Sequence, residues 1–148
     1  MMDQFELNPL EKQRLARILE QTKRIALVGA SNKPERASFE VMQYLLAQGF
    51  EVQPVNPQLA GSLILGQVCV ASLDKLALPV DLVNVFRRSE FAAQIADEAV
   101  AINARSVWLQ EEVINADAAA SAKAGQLDYI EDICIKKVHQ LLTKSASE

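Results

Sequence analysis

Histidine occurs once in this chain, at position 139, and cysteine twice, at positions 69 and 134. The cysteines form no C-x-x-C pair and have no histidine at ligand spacing, which argues against a metal framework and leaves two reduced thiols as the simplest reading. No stretch approaches about 18 uninterrupted apolar residues. The opening MMDQFELNPLEKQ carries acidic residues where a signal peptide would have an apolar core, so a soluble, untargeted, cytoplasmic protein is expected. Basic side chains are outnumbered 15 to 19, for a net charge of −4. With no positive field, nucleic acid and anionic membrane are poor partners. There is no G-x-S-x-G elbow, and the one histidine lies far in sequence from the loops that could form a site. Catalysis is left without an evident base or nucleophile, which leans the reading away from an enzyme and leaves that question open.

What the chain does have is enough apolar residue for one core: half of 148 residues. The expectation is a single domain over residues 1–148, with an N-terminal helix within 1–22 and a frayed tail at 143–148. Around Arg24 to Ser38, RIALVGASNKPERAS, an unbroken apolar run stops at Gly29, a polar turn follows, and apolar residues resume at helical spacing. That order reads as buried strand, tight loop and helix. The helix, with Ser38 expected as its cap, carries Phe39, Val41, Met42, Leu45 and Leu46, ends at Gly49, and leads into a second strand at Val52 to Val55. About 30 residues of this kind make a parallel βαβ unit.

The remaining chain repeats the alternation. Asn8-Pro9-Leu10-Glu11 is a helix start with asparagine as cap. Residues 58 to 67 read as a loop with a brief helical turn, followed by a weak strand at Val68 to Val70 and a turn capped by Ser72. Strands are expected at Asp81 to Phe86, Ser106 to Leu109 and Leu127 to Ile130. Helices are expected after Ser89 and Asn115, each as cap, and over Ile133 to Leu142. The fold class is therefore α/β: a Rossmann-like, three-layer α/β/α domain with an open, mostly parallel sheet of five to six strands.

Ligands of such sheets sit beyond the carboxyl ends of the strands. A loop at the start of a helix offers backbone N–H groups and the positive end of the helix dipole, and this one adds Ser31, Lys33 and Arg36. A phosphate is preferred there over a turn of purely structural purpose. The G-x-G-x-x-G fingerprint is not met, because position 31 is serine and position 34 proline. Nor is there an acidic residue at the end of the second strand, where Asn56-Pro57-Gln58 stands, so a nicotinamide dinucleotide is the weaker candidate. Arg87 and Arg88 read as solvated charges or partners of Glu90, with a ligand role open for Arg87 ahead of Arg88. Trp108 reads as a core anchor, Asp81 as structural, Cys134 as a buried inert thiol and His139 as a surface residue among lysines.

Taken in order, these residues resemble a known family. Gly29-Ala30-Ser31 with Pro34, Arg36 and Ser38, then Pro54-Val55-Asn56-Pro57, then Asp81-Leu82-Val83 leading to Phe86-Arg87-Arg88-Ser89, and finally Trp108-Leu109-Gln110 with Cys134, are similar to the stand-alone CoA-binding domain proteins. The resemblance covers roughly residues 10 to 142. It implies a Rossmann-like domain, similar to the CoA-binding domain of the succinyl-CoA synthetase alpha subunit, that holds coenzyme A or an acyl-CoA by its adenine nucleotide end. On that resemblance the pyrophosphate lies at Gly29, Ala30 and Ser31, with Lys33, Arg36 and Ser38 around it. Asn56 and Pro57 border the adenosine, and Phe86 and Arg87 line the neighbouring crevice. The chain departs from the family pattern at Gln58, at Glu111-Glu112 and at Ile135. The expected function is non-catalytic binding of CoA, with an NAD(P)-binding regulatory or redox domain, or an interaction protein with a vestigial pocket, as alternatives. A homodimer through apolar edge residues is compatible with the sequence.

Overall fold

A computed structural model describes residues 6–147. Five parallel strands form one sheet in the order β2-β1-β5-β6-β7. These are β1 (Arg24–Val28), β2 (Glu51–Val55), β5 (Leu82–Val85), β6 (Ser106–Leu109) and β7 (Asp128–Ile130). Two further two-residue strands, β3 (Leu63–Ile64) and β4 (Gln67–Val68), make a small antiparallel hairpin apart from the sheet. The helices are α1 (Pro9–Glu20), α2 (Ala37–Ala47), α3 (Ala92–Ala101), α4 (Ala116–Ala124) and α5 (Ile135–Ser147).

The apolar run of β1 explains why the sheet is covered twice. Ile25 and Leu27 point into one core with Leu15 and Ile18 of α1, Met42 and Leu45 of α2, and Ile135 and Val138 of α5. Ala26 and Val28 point into the other, with Ile95, Ala96 and Ala99 of α3 and Ala118 of α4. Strand side chains alternate between faces, so a strand apolar at every position needs helices on both sides. Each fully buried leucine contributes roughly 1.5–3 kcal/mol of transfer free energy. Trp108 is 0% exposed in the first core and donates its indole N–H to Ile133 O at 2.8 Å, which makes it the anchor its position suggests.

Asp81 fixes the opposite, amino-terminal rim. Its Oδ2 accepts the amides of Lys23 at 2.8 Å and Arg24 at 2.9 Å, and its own N–H donates to Arg24 O at 2.8 Å. That clamp sets the register in which Ile25 pairs with Leu82 and Val28 with Val85.

Several expectations are corrected. Ser38 does not cap α2: the capping position is Arg36, with no side-chain bond, and Ser38 is a buried residue of the first turn. Ser89 lies in a 3-10 turn, Ser89–Phe91, and its hydroxyl accepts Ile114 N at 3.0 Å, tying the loop after β6 rather than its own helix. The loop at 58–67 contains the β3–β4 hairpin, whose turn residues Leu65 and Gly66 both have positive φ. The expected strand at 68–70 is reduced to β4 and a bridge between Val70 and Val55. α5 spans Ile135–Ser147, beyond the expected end at Leu142. His139 is half-buried and not a free surface residue: Tyr44 Oη lies 2.6 Å from its Nδ1, and Tyr44 and Phe50 pack edge-on against the ring at 5.5 and 5.6 Å. Burial lowers its pKa below the usual histidine value. Residues 1–5 of the expected N-terminal segment lie outside the described residues.

Candidate functional site

The chain winds outward from β1 to β2 on one side and from β5 onward on the other, so winding reverses between β1 and β5. A crevice beyond the carboxyl ends of those strands is the general consequence of that topology. Gly29 closes β1 there with φ +90°, a conformation that suits glycine. A Cβ on it would lie 3.0 Å from both the carbonyl carbon and the oxygen of Phe86, which follows β5.

Two cavities share this crevice and meet at Gly29, Asn56 and Gln58. The first, about 450 Å³, is bordered by Ser31, Lys33, Arg36, Ser38 and Phe86 and contains no carboxylate. The second, about 500 Å³, has Val28, Val55, Leu73, Phe91 and Ile95 on its walls, with Arg87 and Glu98 as its charged groups. Arg87 is stacked 4.2 Å above the Phe91 ring, which holds a flexible cation at the mouth of that cavity. Arg88 is exposed and borders neither.

The loop amides divide into two groups. Those of Gly29 and Ala30 are not free, as the sequence led one to expect: both donate to Val55 O, at 2.9 and 3.3 Å. The peptide at this point serves to bind β1 to β2. Further along, Lys33 N donates to Ser31 Oγ at 3.0 Å and Arg36 N to Lys33 O at 3.0 Å. The amides of Ser31, Asn32, Ala37 and Ser38 have no acceptor among the described residues, and all four residues border the first cavity. Orphan amides at the start of an eleven-residue helix, beside two cations, suit an anion on grounds of charge and hydrogen bonding.

Asn56 is the joint between the cavities. Its Nδ2 donates to Ala30 O at 2.8 Å, its Oδ1 accepts Gln58 N at 2.8 Å, and its own amide donates to Val70 O at 2.9 Å. The side chain is thus committed to holding two loops together, while Pro57 and Gln58 are exposed. Beneath it, Cys69 lies 3.6 Å from Asn56 O, and burial pushes its thiol above the ordinary range. Cys134 is buried in the first core. No group of three or more histidine, cysteine, aspartate or glutamate side chains among the described residues could hold a metal ion.

All ten residues singled out from the sequence, Gly29, Ala30, Ser31, Lys33, Arg36, Ser38, Asn56, Pro57, Phe86 and Arg87, border one cavity or the other. The sequence reading missed the far wall, Ser72, Gln94 and Glu98. The signal was there: Phe91, Gln94, Ile95 and Glu98 follow helical spacing, so two polar residues share the face of two apolar ones.

A doubly wound parallel sheet with this loop at its reversal point defines a Rossmann-like class of α/β protein. Within that class, the model of the CoA binding domain family matches residues 23–140, and the chain belongs to that family. It is 39% identical over 132 residues to the uncharacterized protein YneT of Bacillus subtilis, covering 89% of this chain and 96% of that one. Among solved structures it is similar to a hypothetical protein of Pyrococcus horikoshii, at 31% identity and TM-score 0.86, covering 97% of this chain and 99% of that one. The protein cell-free ID.343 from Thermus thermophilus is 34% identical with TM-score 0.85, over 88% of this chain and 98% of the other. No helix among the described residues is long and apolar enough to cross a membrane.

Proposed function

We propose that this protein binds coenzyme A, or an acyl-CoA, by its diphosphate and adenine-nucleotide end, as a binding module without a reaction of its own. The observation that carries the reading is the pairing of unlike cavities across Asn56: a cationic basin with four unspent amides beside one of mixed lining, where Val28, Val55, Leu73, Phe91 and Ile95 face Ser72, Gln94, Arg87 and Glu98. In this reading the diphosphate lies against Ser31, Lys33, Arg36 and the first turn of α2. The adenosine passes Asn56 and Pro57 into the second basin, with Gly29 between the two. Gly29 and Ala30 contribute by position, since their amides are already used by Val55. Membership of the CoA binding domain family supports the choice of CoA among diphosphate ligands.

A thermal-shift panel of CoA, acetyl-CoA, dephospho-CoA, NADH, NADPH and ADP tests this. A ligand at about 100 times its dissociation constant adds roughly 2.7 kcal/mol, which for a chain of this size raises the midpoint by about 5–10 °C. CoA-type ligands are expected to do so. A panel in which none of them moves the midpoint while NADH does would overturn the reading in favour of a nicotinamide-binding domain.

A further inference from the structure

We infer that the site is built for adenosine diphosphate esters whose ribose carries a free 3′-hydroxyl, so that dephospho-CoA binds more tightly than CoA; this rests on the function proposed above. The charged side chains bordering the two basins are Lys33, Arg36, Arg87 and Glu98. Three cations against one carboxylate leave an excess of two positive charges, which matches a diphosphate diester at neutral pH. A 3′-phosphomonoester adds about 1.5–2 further negative charges, and nothing on the walls balances them.

The position of the deficit follows from the geometry. With diphosphate in one basin and adenine in the other, the ribose crosses the junction at Asn56 to Gln58. There Gln58 is exposed and neutral, and both ends of the Asn56 amide are engaged by Ala30 O and Gln58 N. A phosphate at that point meets only neutral donors, the second Asn56 Nδ2 hydrogen and the Gln58 side-chain amide, and no charged side chain among the residues the two basins share. Glu98, across the nucleoside basin, acts in the same sense: a carboxylate repels a phosphomonoester and accepts hydrogen bonds from hydroxyl or amine groups. Gln94 Nε2 donates to Glu98 Oε2 at 3.2 Å, which orients that carboxylate on the cavity wall.

Isothermal titration of the full chain with CoA and with dephospho-CoA at low ionic strength decides the matter. Dephospho-CoA is expected to bind about fivefold more tightly, the scale of one exposed charge interaction. Gln58→Lys, a surface change that leaves the backbone bond to Asn56 in place, is expected to bring CoA level with dephospho-CoA or ahead of it. Wild-type protein that binds CoA as tightly as dephospho-CoA, or more tightly, overturns the inference and leaves the proposed function standing. So does a Gln58→Lys variant with an unchanged ratio. Binding of neither compound overturns the proposed function itself.

Discussion

The α-carbon of Gly29 faces the peptide of Phe86 so closely that a single added methyl group would sit 3.0 Å from both its carbonyl carbon and its oxygen. Two strands on either side of the winding reversal are thereby held in contact where the crevice begins. Gly29→Ala combines a left-handed backbone with a collision against main chain, and a loss of about 2–3 kcal/mol is expected. Gly49→Ala is the control, because Gly49 has φ +97° and nothing within 4 Å of the added carbon. It should cost only the backbone penalty, about 1 kcal/mol. Urea unfolding of both variants checks this; equal losses would mean that the contact with Phe86 yields freely.

The sequence sets Arg36 beside the expected phosphates and Arg88 among the solvated charges, and the geometry keeps them apart in the same way. Arg36 borders the cationic basin, whereas Arg88 is solvent-exposed outside both cavities. Arg36→Ala should weaken CoA binding about 5- to 30-fold, the range for a charge-assisted hydrogen bond. Arg88→Ala should stay within about twofold. Titration calorimetry gives both numbers, and similar losses would place the diphosphate elsewhere.

The Asn115 side chain makes two bonds where that of an ordinary cap makes one, and its carbonyl accepts two more, one of them from Ala119 N at 3.1 Å. Its Oδ1 accepts Ala118 N at 2.9 Å, its Nδ2 donates to Ser89 O at 2.8 Å, and its carbonyl accepts the Tyr129 hydroxyl at 3.2 Å. Asn8, by contrast, accepts only Glu11 N through its exposed side chain. Asn8→Ala should cost about 1 kcal/mol, and Asn115→Ala about 2–3 kcal/mol because Ser89 O also loses its donor. Thermal unfolding of the two variants separates these; Asn115→Asp should recover the cap and not the second bond.

Acidification should destabilise the protein through His139. Burial depresses its pKa in the fold below the ordinary 6.5, so the unfolded chain binds the proton more readily. Stability from this group is complete above the unfolded value and is lost as pH falls through it towards the folded value. His139→Gln should flatten that part of the profile between about pH 7 and pH 5. The histidine ring proton shift, followed by NMR, should give a midpoint below 6.5; a midpoint above that value would contradict the packing against Tyr44 and Phe50.

The strands and helices of the main sheet could be read from the sequence because local pattern and tertiary role agree in them. Ile25 to Val28 is apolar at every position and is buried on both faces; Asn115 is a good cap and does cap. The β3–β4 hairpin was not legible, since its turn places Leu65 at φ 50°, where leucine is not a turn signal. Ser38 misled because a serine just before an apolar run looks like a cap, yet Arg36 already holds the capping position and its carbonyl accepts Phe39 N and Glu40 N. His139 was hidden by its charged neighbours, although Ile135, Val138, His139 and Leu142 share one helical face. At the site, charge and loop position were visible in the residues. The assignment of individual amides was not, because it depends on Val55 O, twenty-six residues from Gly29 in sequence and adjacent in space.

That carbonyl and the Asn56 amide together stitch the end of β2 to the peptide units of Gly29 and Ala30. Neither wall of the crevice can therefore slide without dragging the other. A nucleoside pressing on Asn56 strains the same stitches that border the phosphate basin, and a molecule gripping both ends should stiffen the whole rim far beyond what its two halves, added separately as adenosine and inorganic diphosphate, would achieve.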